Sequence, residues 1–241
     1  MCADENSGVF ASTHWSVVLA AGGESSPSAR EALDRLCHGY WFPLYGYVRS
    51  KGFSPHDAED LTQEFFTRFL ASNSLRTVRE ERGRFRAFLL ASMNHFLANE
   101  WERLRAQKRG GGKPLLSFDA ATAEERLKME PATNLTPGRL YDQRWVLTLL
   151  DAVLERLRAE MAAAGKATMF DELRPFLSDA KGTMTYPKVA ARLGLAEAAT
   201  RKAVQRLRSR YRELLREEVA QTVCAPHEVE AELRHLFAAF G

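Results

Sequence analysis

Cysteine is scarce in this chain, a phosphate-cradling glycine loop is missing, and no apolar run is long. The three cysteines, Cys2, Cys37 and Cys224, stand far apart with no paired spacing. That excludes a disulfide framework and a cysteine zinc site, and it suits reduced thiols in a reducing compartment. No apolar stretch approaches the roughly 18 residues of a membrane span, so no membrane insertion is expected. The opening MCADENSGVF lacks the basic-then-apolar layout of a secretory leader, and a cytoplasmic location is expected. Gly110, Gly111 and Gly112 neither follow a strand nor open a phosphate-cradling loop. There is no nucleophile elbow and no metal-spaced histidine pair. Enzymatic activity, a bound metal and a cofactor are therefore not expected. Alternating β-branched runs are also few, which leaves little material for a sheet.

What remains is helix. With 241 residues and 45% hydrophobic content, the chain can build one large or two small cores. Thr13–Ala21 reads as a short helix, and residues 29–50 as one or two helices with Leu33, Leu36, Tyr40, Trp41, Leu44, Tyr45 and Val48 facing inward. Residues 71–84 read as a polar, basic loop. From Phe85 to about Gln107 a long helix carries Phe85, Phe88, Leu89, Ser92, Met93, Phe96, Leu97, Trp101 and Leu104 in one stripe. Residues 110–140 have glycine and proline but little periodicity, the mark of a linker. A second helical block starts near Tyr141, with Trp145, Leu149, Val153 and Leu157 on one face. Met169–Leu177 and Pro226–Phe240 read as further helices, the last with Val229, Leu233, Leu236, Phe237 and Phe240 turned inward.

Three segments carry chemistry. Residues 57–70, DAEDLTQEFFTRFL, place Ala58, Leu61, Phe65 and Phe69 on a core-facing stripe and Asp57, Asp60, Gln63 and Glu64 on a neighbouring one. Ser54 at the N-cap, Pro55 at the first helical position and Asp57 at the third account for Asp57 as a cap. Asp60, Gln63 and Glu64 are not needed for capping, and a solvated polar face competes with a partner-binding one. Residues 185–216 read as a helix-turn-helix: Tyr186–Leu193, a turn at Gly194, and a longer helix from about Glu197. Val204, Leu207, Tyr211 and Leu214 form its buried stripe. Arg201, Lys202, Gln205, Arg206 and Arg208 lie elsewhere on it, where residues near the N-terminus read base edges and later arginines hold phosphates. Ala196 is a poor N-cap for that helix. On the Phe85 helix the aromatic rings follow the core stripe and are read as packing. Its exposed candidates are Arg86, Asn94, His95, Asn99, Arg103 and Arg105, preceded by Arg79, Arg82 and Arg84; charge and amide groups suit single-stranded or distorted DNA.

Taken together, these residues resemble the extracytoplasmic-function group of bacterial RNA polymerase sigma factors. DAEDLTQEFFTRFL is similar to that family's region 2.2, GRFRAFLLASMNHFLANEWERLRAQKR to regions 2.3 and 2.4, and YPKVAARLGLAEAATRKAVQRLRSRYREL to region 4.2. The resemblance implies an all-α fold of two helical domains joined by a flexible linker. It divides the chain into an N-terminal extension (1–29), a region 2 domain (30–109), a linker (110–140), a region 4 domain (141–220) and a C-terminal helical extension (221–241). It implies core RNA polymerase, through its β′ clamp and β flap, and promoter DNA as partners, with an anti-sigma factor or other regulator left open. Asp60, Gln63 and Glu64 would contact the clamp. Arg84, Arg86, His95, Asn99 and Arg103 would meet the minus-ten element, and Arg201, Lys202, Gln205, Arg206 and Arg208 the minus-thirty-five element. The family's usual asparagine and aspartate in the region 2.3–2.4 helix fall at His95 and Asn99, or the asparagine at Asn94. Ala199 and Ala203 replace the family's small polar and basic residues. A stand-alone helix-turn-helix regulator of duplex DNA is the competing reading, and an interaction scaffold a third.

Overall fold

The computed structural model describes residues 27–71, 85–106, 120–130, 134–178, 184–223 and 225–240, and every regular element among them is helical. In chain order these are α1 (Pro27–Ser50), α2 (Pro55–Ala71), α3 (Phe85–Ala106), α4 (Ala120–Lys128), α5 (Pro137–Ala163), α6 (Ala167–Leu173), α7 (Tyr186–Leu193), α8 (Glu197–Ala220) and α9 (Val229–Phe237). Short 3-10 turns occupy Arg174–Phe176 and Pro226–Glu228. The helix expected at Thr13–Ala21 and the basic loop at 72–84 lie outside the described residues.

The chain divides into two compact units, one of Met1–Thr148 with Val219–Gly241 and one of Leu149–Glu218. In the first, Tyr40, Trp41, Leu44, Tyr45 and Val48 of the inward stripe of α1 are all covered, as its periodicity requires, and the side chains of Leu33 and Leu36 lie outside the described residues. Gly52 takes φ 93°, a conformation that glycine adopts without a side-chain penalty, and turns the chain from α1 towards α2. Ser54 then caps α2: its Oγ accepts the Asp57 backbone N–H at 3.1 Å and donates to the Asp57 carboxylate at 2.6 Å. Below that cap an aromatic layer forms. Phe65 meets Phe69 at 5.4 Å and Phe96 at 5.7 Å, and Phe69 meets Phe88 at 5.8 Å between ring centroids. Rings in such offset and edge arrangements add about 0.5–1.5 kcal/mol per pair beyond area burial.

Two parts of this unit differ from the sequence expectation. Part of the stretch expected to be a flexible linker is built into the fold. Ala123 on α4 is buried, and Glu124 accepts from Tyr45 Oη at 2.6 Å and from Arg49 Nε at 2.6 Å. Arg126 stacks over the Phe42 ring at 4.2 Å. Glu130 holds Arg144, whose side chain crosses α1 where Gly46 leaves room; a Cβ there would lie 2.8 Å from it. Apolar periodicity is weak in nine residues whose contacts are mostly ionic, so α4 was hidden.

The second difference is the C-terminal segment, which belongs to the first unit together with Tyr141–Thr148. Arg86 was expected to face solvent and is instead 5% exposed. Its guanidinium is paired with Asp142 of α5 and with Glu232 of α9, the latter at 3.1 Å. The backbone around it is tied as well: Tyr141 Oη donates to the Arg86 carbonyl at 3.2 Å, and Phe85 N–H donates to the Thr222 carbonyl at 3.1 Å. Tyr40 stacks on Trp145 and meets the edge of Phe85 beside this cluster. On α9, Val229, Leu233 and Leu236 face inward as expected, whereas Phe237 at its end and Phe240 beyond it are about half exposed. Glu232, not an aromatic, takes the inward position opposite Arg86.

The second unit closes around Val153, Leu157, Phe170, Leu173, Val189, Val204, Leu207 and Leu214, all buried. Gly194, at φ 64° and ψ 30°, ends α7 in the left-handed conformation and starts the turn into α8. Ion pairs lace its surface: Arg210 grips Glu160 through two bonds of 2.9 Å, and Arg156 reaches Glu217 and Glu218.

Two outcomes follow. Arg86→Met removes the guanidinium that Asp142 and the 1%-exposed Glu232 share; taking one partner out of a buried ionic cluster makes a loss of about 3–5 kcal/mol the expected result of urea unfolding. The Glu124 carboxyl is held below its ordinary 4.5, chiefly by the Arg49 hydrogen bond. For a depressed acid the stabilisation is complete above the unfolded value and fades as pH falls through the folded one. Glu124→Gln is therefore expected to flatten the acid limb of the stability profile below about pH 4.5 while lowering stability at neutral pH.

Candidate functional site

The exposed side of α2 is acidic because its N-terminal turns carry Asp57, Glu59 and Asp60, which also complement the helix dipole. Asp57 is consumed by the Ser54 cap. Asp60 stands 68% exposed, with His56 at 3.4 Å. Gln63 is half-buried and donates to Glu59 at 3.3 Å. Glu64 is engaged by Arg68 at 2.7 Å, and the same arginine holds Glu100 of α3 at 2.6 Å while lying over the Phe96 ring. The three residues singled out from the sequence thus share one helix face in three different states. Asp60 is open, Gln63 is tethered through its amide, and Glu64 is part of an ionic bridge between α2 and α3.

On α3 three of the aromatic rings read as packing are buried, Phe85, Phe88 and Phe96, and the side chain of Trp101 lies outside the described residues. The opposite side exposes Asn94, His95 and Asn99, together with the small side chains Ala91 and Ala98. His95 and Asn99 are one turn apart and present hydrogen-bonding groups on a common face. Asn94 is held, since its Oδ1 accepts from Tyr47 Oη at 2.6 Å. Arg84 lies outside the described residues, as does the side chain of Arg103. Arg86 does not join this face, because the acids of α5 and α9 draw it into the core.

In the second unit, α8 buries Thr200, Val204 and Leu207 and exposes Arg201, Lys202, Gln205 and Arg206. Arg201 is oriented by Glu197 one turn earlier, with its Nε at 3.0 Å, and lies over the Tyr186 ring at 4.5 Å. Tyr186 is itself stacked on Phe176 at 4.8 Å. Arg208 departs from the expectation of an outward cation. Its Nε and Nη2 both donate to the Phe176 carbonyl, at 2.9 and 2.7 Å. The last 3-10 turn leaves that carbonyl without a helical acceptor role, and the guanidinium fork fills it. Arg208 therefore fastens α8 to the Arg174–Phe176 turn.

Sequence reasoning missed Glu100, Glu232 and Thr200 as structural polar residues, since each interrupts an apolar stripe. It also missed the Phe176–Tyr186–Arg201 stack, whose members are far apart in sequence. No group of acidic, histidine or cysteine side chains among the described residues could hold a metal ion. No described helix is long and apolar enough to cross a membrane.

Residues 43–109 match the family model described as Sigma-70 region 2. The match takes in α2, α3 and the faces described on them. It covers 67 of the 241 residues. No curated protein and no solved structure matches the chain.

The two arginines of α8 that differ in setting are separable by experiment. Arg208→Ala removes a charge-assisted bond pair from a backbone carbonyl, and a loss of about 1.5–3 kcal/mol is expected in hydrogen exchange of α8 amides. Arg206→Ala, on the exposed face, is expected to stay within about 0.5 kcal/mol of the parent in the same measurement.

Proposed function

We propose that this chain is a sigma factor of the extracytoplasmic-function group, which binds core RNA polymerase and directs promoter recognition and melting. The observation that carries the reading is the region 2 match across residues 43–109, laid over an acidic face on α2 and a hydrogen-bonding face on α3. Acid exposed on a DNA-binding protein repels phosphate, so α2 requires a different partner, and a basic polymerase surface is the complement. In this reading Asp60 is the open charge that meets the β′ clamp, with Gln63 and Glu64 presented beside it. The ionic bridge from Glu64 through Arg68 to Glu100 couples that contact surface to α3.

His95 and Asn99, together with Arg84 and Arg103, are assigned to the minus-ten element. Capture of unstacked bases by such groups offsets the few kcal/mol that each unstacked step costs. In the second unit α7, the Gly194 turn and α8 serve as a helix-turn-helix for the minus-thirty-five element, with Arg201, Lys202, Gln205 and Arg206 towards the duplex. The Glu197 pair and the Tyr186 ring hold Arg201 in advance, which lowers the ordering cost of a base contact. Arg86 and Arg208 are not assigned to DNA, because their donors serve the fold. A sigma factor works without catalysis of its own, in the cytoplasm, with the polymerase β flap and DNA as partners of the second unit.

Co-purification with core polymerase tests the first contact. Asp60→Lys with Glu64→Lys is expected to abolish capture of core while leaving the helical circular dichroism intact, and undiminished capture would sink the proposal. Arg201→Ala and Gln205→Ala are each expected to reduce use of a cognate promoter with core binding unchanged. Lys202→Ala is expected to weaken duplex binding across sequences and to lower the salt slope by about 1.

A further inference from the structure

We propose that the second unit holds a binding site for a small anionic amphiphile, a long-chain carboxylate, in the groove between α5, α6 and the first half of α8. The groove measures about 490 Å³, within the range of about 300–1,000 Å³ found for small-molecule sites. Its floor is apolar, formed by the buried Leu157, Leu173 and Leu207. Met161 and Met169 line it too; flexible thioethers adapt to apolar guests of varied shape. Two alanines one turn apart on α8, Ala199 and Ala203, border the space. Larger side chains at either position would fill it.

The mouth has the opposite character. Lys166, Lys202 and Arg206 all line the groove and are exposed. Among the described residues none of the three is ion-paired. The acid in the lining, Glu160, is already neutralised by the two 2.9 Å bonds from Arg210. An apolar hollow with unspent cations at its mouth complements a guest with an apolar body and one anionic head. A partner helix would instead lay anchors at i, i+3, i+4 and i+7 along an extended apolar groove, and the compact volume favours the small guest. Lys202 and Arg206 are also the cations assigned above to DNA phosphate. It follows, resting on that reading, that an occupied groove and a bound duplex exclude one another.

The test is calorimetric titration of laurate, below its micelle-forming concentration and without DNA, into the full chain at low salt. Saturable one-to-one binding is expected. The exposed pair Lys202→Gln with Arg206→Gln is expected to weaken it by about tenfold or more, the scale of a lost charge-assisted contact. Ala203→Phe is expected to abolish it, with circular dichroism confirming the fold. Dodecanol, the same chain without the charge, is expected to bind more weakly. The proposal is overturned by non-saturable heats, by wild-type affinity in the Ala203→Phe protein, or by equal affinities for laurate and dodecanol. Binding of an acidic amphipathic peptide but not of laurate would likewise overturn it and assign the groove to a protein helix. Displacement of duplex DNA by laurate is then measured separately. Laurate that binds but displaces nothing leaves the site standing and removes Lys202 and Arg206 from the DNA surface.

Discussion

The buried guanidinium of Arg86 sets the shape of the first unit. Charge withdrawn from water costs several kcal/mol per ion unless it is closely compensated. Here compensation arrives from two other helices, through Asp142 on α5 and Glu232 on α9. Burial lifts the Asp142 carboxyl above its ordinary value against the pull of Arg86 and His235, so the arrangement is held by its partners and not by any ease of burying acid. Because each acid sits on a separate helix, the cluster forms only when α3, α5 and α9 are all in place. It fixes the start of α3, whose later turns carry the exposed His95 and Asn99. The C-terminal segment, remote in sequence, is thereby a structural part of the unit that holds the candidate polymerase face.

Much of this was legible in the sequence, and the failures have a common physical origin. The stripes of α1, α2, α3 and α8 emerged from apolar spacing because burial of apolar area is local and periodic. The Ser54 cap was legible because its bonds span three residues. Arg86 and Arg208 were misread for the same reason as each other: an arginine on a helix flank looks exposed until a distant acceptor is known. Asp142, Glu232 and the Phe176 carbonyl are those acceptors, at separations that no window of sequence reveals. Around α4 the long-range contacts are made by Glu124, Arg126 and, just past its end, Glu130, and such polar contacts leave no period. Phe237 and Phe240 continued an apolar pattern that the chain abandons once Leu236 is buried.

Charge is distributed in a way that separates tasks. Acid is concentrated on the first turns of α2, away from α3, whose exposed turns offer amide and imidazole groups. Cation is concentrated on the first half of α8, while further along that helix Arg210 is spent on Glu160, Glu213 and Glu217. A near-neutral total, +3 from 34 basic and 31 acidic residues, thus conceals faces of opposite sign. Steering by such faces is strong at low salt and is screened beyond about 8–10 Å at physiological ionic strength.

The central claim is that this chain gives promoter specificity to a polymerase that lacks it. Run-off transcription with purified chain and core polymerase over a library of genomic fragments measures that directly. The account predicts discrete start sites that require both components, share two upstream sequence elements and disappear when core is omitted. Binding of the chain to duplex DNA at specific sites with no initiation by core polymerase at any of them would contradict it.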